Sequence, residues 1–592
     1  MKKIIFFLLT AACTVALQAK VVTFTLDNGE KRYFSSSQLG SIDVNENQST
    51  VTTWDGEVID ELTNCVRNVQ INDDPVIYEE KDMTWKFSYD KVAVSELNLD
   101  ITLTDYDAFK RDVRVLRYLY PSVDPTGDPV TLSGIIVIPK NILDGDAQSD
   151  GILLFNHFTI ANYREAPSED YNYLEAMFIA NPLAINYIIV ESDFYGFGTS
   201  VRFPQAYLYG QTNAKASLDG LAAAKVLLED MGINYGKYLF NVGYSSGGFD
   251  ALAVQKEVDN NHRGEIKIDK TFAGGSPSDL TTVYKDYVNT DAITYLVSVP
   301  LMLVSYNESG SMGLDYDDVF KPLIADHIDE WILSKEYSTQ PINDMIGREH
   351  TVSDMLQPAY TDINSPESQY VIERMDAMSL ATDWNVDPND NIFLFHSRDD
   401  DYVTFQSARS FADFLTANGF EKSIIPGRTN LHTNLVVKKM GHLTATLVYL
   451  VQSVASLKAW PLIHATPETE AAYQALVSAE LDIVGILDTF KQLGIDVRKL
   501  VPLLEEQGIP LNKDLIPLYL QQLGIDANEL NEMCEDSGID LLGTLEALIT
   551  YLKTEDPEQN HAEMLQAPLR IQDIKDPVKR YEMEFKQWLK LE

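Results

Sequence analysis

Residues 241–252 read NVGYSSGGFDAL: the end of an apolar run, two serines held between glycines, and the start of a segment with helical pattern. Glycine weakens a helix interior by about 0.5–1 kcal/mol relative to alanine, so glycines clustered at a helix start need a local reason. The flanks supply one. YLFNV before the turn reads as a buried strand and FDALAVQKEV after it as a helix, which makes GYSSGG a sharp strand-to-helix turn. Gly243-Tyr244-Ser245-Ser246-Gly247 fits G-x-S-x-G, the turn that lifts a serine above the edge of a sheet, and the pattern occurs nowhere else in the chain. Small neighbours let the chain bend tightly and leave Ser245 in a strained, exposed position. The backbone N–H of Ser246, in the first turn of the helix, is placed to stabilise an oxyanion.

A serine hydroxyl is a poor nucleophile near neutral pH, so a base must reach it and an acid must fix the tautomer of that base. After such a turn the expected order along the chain is Ser, then Asp or Glu, then His. Two later stretches fit. FLFHSRDDDYVT, residues 393–404, carries Asp399, Asp400 and Asp401 after a strand, and VVKKMGHLTA, residues 436–445, carries Gly441-His442 after another. His432 is the rival base; it precedes its apolar run and reads as a surface-loop residue, with Asp399 and Asp401 as solvated turn residues if Asp400 is the acid.

From about residue 75 to 465 the pattern is one of strand-length apolar runs separated by longer helical stretches, which predicts an α/β fold with a mostly parallel sheet and crossover helices. The strand candidates are RVLRYLY, SGIIVIP, GILLFNH, NYIIVES, YLFNVGY, NIFLFHS and NLVVKKM. The helical stretch 216–232, ASLDGLAAAKVLLEDMG, ends on Gly232 in a C-capping position. The segment between Ser245 and Asp400 is far longer than one strand and its connections need, so residues about 277–385 read as an inserted cap, with AITYLVSVPLMLV as a buried cap helix. Before the sheet, residues 20–74 alternate apolar and polar positions around Asp27-Asn28-Gly29 and read as a small β module with a hairpin. After it, residues 466–592 read as a helical domain in which GID or GIP recurs at Gly494, Gly508, Gly524 and Gly538.

Taken in order, SGIIVIP, NHFT, ESDFYGFGTS, ASLDGLAAAK, GYSSGG, AGGSPSDL, HSRDDDYV and MGHL resemble the α/β-hydrolases, and more narrowly the secretory lipase and lipase A branch of serine esterases, over about residues 110–460. That resemblance implies a triad of Ser245, Asp400 and His442. Asp400 falls on the acid of an H-G-x-x-D-x-x-V-P pattern with His396 and Val403 in register, although Ser397 and Thr404 replace the glycine and the proline. It also implies a second oxyanion donor from the backbone N–H of Phe158 or Thr159, with His157 shaping that loop and Asp193 bracing it or capping its own turn. The chemistry implied is ester cleavage through an acyl-enzyme, with no metal and no cofactor. A serine aminopeptidase of the same fold and a non-catalytic surface binding protein on a hydrolase core are the alternatives.

The net charge of −43 opposes contact with phosphate backbones and excludes nucleic acid as an expected partner, leaving a small-molecule, lipid or glycan ester as the expected substrate. Residues 1–19, MKKIIFFLLTAACTVALQA, carry two lysines, an apolar core and a small-residue end, the pattern of an export signal; Cys13 offers a weaker lipoprotein reading. No later run of 18 uncharged apolar residues predicts a membrane span. The three cysteines, Cys13, Cys65 and Cys534, make no disulfide framework, and Cys65 and Cys534 read as unpaired buried thiols.

Overall fold

The computed structural model describes residues 20–44, 49–86, 110–170, 186–290, 293–309, 312–423, 430–437 and 440–478. Residues 1–19 with Cys13, the glycine-spaced segment 494–540 and Cys534 lie outside the described residues, as does most of 466–592; within that last range, Pro467–Ser478 is a helix.

The amino-terminal module pairs β1 (Val21–Leu26) with β2 (Lys31–Ser35) as an antiparallel hairpin in the register Val21↔Ser35. Gly29 takes φ +88° in its turn, which is why the Asp-Asn-Gly signal works there. β3 (Leu39–Val44) pairs with β4 (Ser49–Thr53), and β5 (Val66–Asn72) adds to the free side of β1. A small core of Val22, Phe24, Leu26, Val51 and Leu62 fills the module. Cys65 is half-buried and free, more open than its composition suggested.

Among the described residues the large sheet has ten strands: β6 (Val76–Lys86), β7 (Lys110–Val123), β8 (Pro129–Pro139), β9 (Gly151–Asn156), β10 (Tyr187–Ser192), β11 (Tyr238–Tyr244), β12 (Lys270–Gly274), β13 (Ile392–Ser397), β14 (Lys422–Ser423) and β15 (Leu431–Val437). Their spatial order is β14-β15-β13-β12-β11-β9-β10-β8-β7-β6. From β14 to β10 neighbours run parallel, and β10, β8, β7 and β6 run antiparallel. β9, β10, β11 and β13 are buried along nearly their whole length, because helices cover both faces and leave no position that must be polar. Alternation still sorts the side chains. Ile152 and Leu154 face one core, with the helices Gly210–Asp230 and Ser246–Asn261, while Leu153 and Phe155 face the other, with the helix His442–Ile463.

That last helix is long and apolar enough to cross a bilayer by length and composition. Here it lies on the sheet: Tyr449, Leu450 and Leu457 are buried beside Phe240, Phe272 and Phe393, and the Tyr449 hydroxyl donates to the carbonyls of Gly243 and Phe272. Each such large apolar side chain removed from water contributes about 1.5–3 kcal/mol, enough to fix the helix there as a core element.

β10 lies on one side of β9 and β11 on the other, so the chain leaves β9 and β11 in opposite directions and opens a crevice at their carboxyl ends. Between β12 and β13 the chain makes a helical insertion that contributes no strand to the sheet among the described residues. In its helix Ser298–Glu308 every residue from Ser298 to Tyr306 is buried, and Pro300 sits in the first turn, where its missing N–H has no intrahelical acceptor to disappoint. Gly232 closes the helix Gly210–Asp230 with φ +70°, as its position implies.

Candidate active site

Ser245 stands at the carboxyl end of β11, between strand and helix, at φ 58° and ψ −126°. That is a conformation L-residues avoid, and the backbone enforces it: Ser245 N–H donates to Gly274 O at 2.8 Å. The glycines are needed for close approach. A Cβ on Gly243 would strike the Gly247 carbonyl, one on Gly247 the Asn156 carbonyl, and one on Gly248 the Gly274 carbonyl. Ser245 itself is half-buried, and Ser246 begins the helix.

Asp400 follows β13 and is buried. Its Oδ2 accepts from His442 Nδ1 at 2.7 Å, and its Oδ1 accepts from the backbone N–H groups of Tyr402 and Val403 at 2.9 and 2.8 Å. Burial opposes ionisation of this carboxyl, but the facing His442, then His396 and the Val403 N–H, outweigh it and hold Asp400 below the usual carboxylate range. His396 Nε2 lies 3.5 Å from Asp400 Oδ2, the oxygen that His442 also engages, and 3.0 Å from Val403 O.

His442 is the first residue of the helix His442–Ile463. Its ring sits between Tyr244 and Tyr402, each with centroids 5.0 Å away, and its carbonyl accepts from the Tyr244 hydroxyl at 2.7 Å. The residue just before Ser245 therefore holds His442. Asp400 occupies Nδ1, which leaves Nε2 as the ring nitrogen free to act. No hydrogen bond joins Ser245 to His442 among the described residues, a common state of such pairs before substrate arrives.

The other two aspartates separate. Asp401 is no solvated turn residue: its Oδ1 accepts the His442 N–H at 2.9 Å, its Oδ2 accepts from Thr294 Oγ1 at 2.9 Å, and its carbonyl takes the Thr294 N–H at 2.8 Å. It ties the base to the insertion. A carboxylate at the open end of a helix is a recognisable device, but nothing in three consecutive aspartates says which of them has it. Asp399 donates its backbone N–H to Ser397 Oγ at 3.3 Å. His432 is no surface-loop residue either; it lies inside β15, which starts earlier than the run NLVVKKM, and stacks buried on Phe393 with centroids 4.4 Å apart.

The loop after β9 carries His157, Phe158 and Thr159 beside the start of the helix Ser246–Asn261. Thr159 Oγ1 lies 3.2 Å from Ser246 Oγ and 3.3 Å from the Tyr207 hydroxyl. His157 is fixed between backbone carbonyls, Nδ1 at 2.8 Å from Phe158 O and Nε2 at 3.4 Å from Asp193 O, with its ring against Phe194; burial lowers its pKa. Asp193 is fully buried. It accepts from the hydroxyls of Ser133 and Ser168 and from Ser168 N–H at 2.8 Å. Burial raises its pKa against those hydrogen bonds. Ser133 and Ser168 carry no signal of this role in the sequence.

A narrow cavity of about 10 Å³ lies at Ser245, lined by Tyr207, Tyr287, Tyr295, Tyr402, Val283 and Met302. Tyr295 and Tyr402 stack with centroids 4.3 Å apart, and Tyr287 donates to Tyr402 O at 2.9 Å, so the insertion and the acid loop close one face together.

The secretory lipase family matches residues 171–452. Over those residues the chain resembles the secretory lipases, and its fold is that of the α/β-hydrolases. A candidate hydrolase from Legionella pneumophila superposes with a TM-score of 0.52 at 18% identity, over 65% of this chain and 98% of that one. The rice cell wall degrading esterase LipA from Xanthomonas oryzae, in a ligand-bound form, gives 0.48 at 19% identity, over 65% and 97%. Candida antarctica lipase A in its closed state gives 0.44 at 14% identity, over 65% and 81%. No curated protein matches the sequence. The first of these likenesses supports the fold; at these identities the chemistry has to be argued from the side chains of this chain.

Proposed function

We propose that the chain is an exported serine hydrolase that cleaves carboxylic esters through an acyl-enzyme. The observation that carries this reading is the buried Asp400–His442 pair on the same sheet edge as the strained Ser245. In this reading His442 Nε2 takes the Ser245 proton as Oγ attacks the ester carbonyl, and Asp400 orients the ring and stabilises the imidazolium that forms. The carbonyl oxygen becomes an oxyanion facing the N–H of Ser246 and that of Phe158 or Thr159. Removing one such donor typically costs about 2.7–4 kcal/mol of transition-state stabilisation. His442 then returns the proton to the leaving alcohol, and water releases the acid by the same steps in reverse.

The match to a secretory family and the leader pattern of residues 1–19 support export. The aminopeptidase alternative would place a carboxylate where it could hold a substrate amine. Among the described residues lining the cavity there is none, and the tyrosine-rich wall suits an uncharged group. The test is labelling of the full chain with a fluorophosphonate probe, followed by hydrolysis of p-nitrophenyl acyl esters beside aminoacyl anilides. The reading expects labelling, turnover of the esters alone, and loss of both in Ser245→Ala. Faster cleavage of the anilides, or unchanged activity in Ser245→Ala, would reject it.

A further inference from the structure

The loop after β10 is an awkward piece of backbone. It turns left-handed at Phe194, Gly196 and Gly198, and residues 192–197 are buried. Buried carbonyls outside helix and sheet need donors from elsewhere. One side chain of the insertion meets three of them: Lys335 Nζ donates to the carbonyls of Gly196 at 2.7 Å, Val201 at 2.5 Å and Phe203 at 2.5 Å. An ammonium has three N–H donors, so donors and acceptors match in number. Lys335 is 4% exposed, lies against the Phe197 ring, and itself takes a left-handed φ of 54°, a conformation a non-glycine residue adopts only under outside constraint.

The same few residues of the insertion also grip the loop after β9. Tyr163 N–H donates to Lys335 O at 2.9 Å, and Asn162 Nδ2 donates to Glu336 O at 2.7 Å. From the pinned loop, Asp193 and Phe194 hold His157, and His157 adjoins Phe158 and Thr159.

We propose that Lys335 is a positioning residue: its ammonium, shared among three carbonyls, holds the two loops that set the oxyanion donors. The inference rests on the ester-hydrolase reading. A filler of core volume would not need the charge, because methionine has similar length without the cost of burying an ammonium. Burial alone pushes Lys335 down to about 7, and the three carbonyls oppose that drop by bonding the charged form.

Lys335→Met in the full chain keeps the stem and removes the donors. We expect kcat on a p-nitrophenyl ester to fall about 30-fold, short of the ~10²-fold that a 1 Å misplacement costs, with KM within about twofold. Fluorophosphonate labelling should slow in parallel, with the far-UV spectrum unchanged. Asn162→Ala, which removes a neighbouring and more exposed tie, should lower kcat about threefold in the same pattern, and it decides the matter if Lys335→Met does not fold. A kcat within twofold of wild type in the deciding variant, or a loss confined to KM, would overturn the inference. A wild type that labels alongside an equally reactive Lys335→Met removes this inference alone; a wild type that neither labels nor turns over removes the ester reading together with it.

Discussion

The two sides of the catalytic edge are built differently. On the base side, function runs through side chains: the Asp400 carboxylate grips His442 Nδ1, Asp401 caps the His442 N–H, and Tyr244 and Tyr402 clamp the ring. On the oxyanion side, in the proposed reading, the working groups are backbone N–H donors, and the side chains of His157, Asp193, Ser133 and Ser168 hold the backbone that carries them. The base side should therefore be fragile to substitution of its named residues, and the oxyanion side to anything that shifts its chain.

The largest expected effect is on the base side. Asp400→Asn should lower kcat by about 10⁴-fold on a p-nitrophenyl ester, because the amide stabilises the wrong tautomer while leaving the shape intact. A loss below tenfold would break the comparison there. Gly247→Ala comes next. Its Cβ would meet the carbonyls of Asn156 and His157, pushing the loop that carries the oxyanion donors, and a loss of about 10²-fold is expected with an unchanged far-UV spectrum. Asp401→Asn keeps an acceptor but removes the charge at the helix start, so about tenfold in kcat is expected, read by the same assay. Smallest should be Thr159→Val, which deletes a hydroxyl and leaves the N–H. A change of about threefold or less sharpens the contrast, and a 10²-fold loss would mean the hydroxyl itself acts.

The two sides also treat their buried carboxyls oppositely. Asp400 has its pKa lowered, so its contribution to stability is present above the ordinary carboxylate value and is lost as pH falls through its folded pKa. Asp250, buried in the helix that begins at Ser246 and accepting from Asn213 Nδ2 at 3.0 Å, is pushed by burial up to about 8. It is protonated when folded and ionised when unfolded between about pH 4 and 8, so it withdraws stability as pH rises through that window. Asp250→Asn should raise the thermal midpoint more at pH 8 than at pH 5. An equal shift at both would mean the carboxyl is ionised in the fold.

This asymmetry explains what could be read beforehand. The sheet was legible where strands are buried on both faces, as in GILLFNH and NIFLFHS, because no polar position interrupts the run. β6 was missed because an edge strand reading VIYEEKDMTWK need satisfy only one neighbour, and β12 because its five residues, KTFAG, begin with lysine, end with glycine and fall below any periodic signal. In the site, G-x-S-x-G and the order Ser, Asp, His pointed to Ser245, Asp400 and His442, since side-chain chemistry leaves its mark in residue type and spacing. The oxyanion side left Phe158 and Thr159 undivided, because every residue but proline has an N–H. The roles of Asp401 and Lys335 were hidden for another reason. Their partners, Thr294 and His442, or Gly196, Val201 and Phe203, are brought together only by the insertion folding back over the sheet.

The backbone at Ser245 has one more consequence. Its φ of 58° belongs to glycine's territory, and a residue with a Cβ is held there at a cost of order 1–3 kcal/mol. Ser245→Gly should thus melt at a higher temperature than the parent while hydrolysing nothing. Selection for durability alone would have discarded this serine, so on the proposed reading its survival marks a standing trade of robustness for reactivity at a single torsion angle.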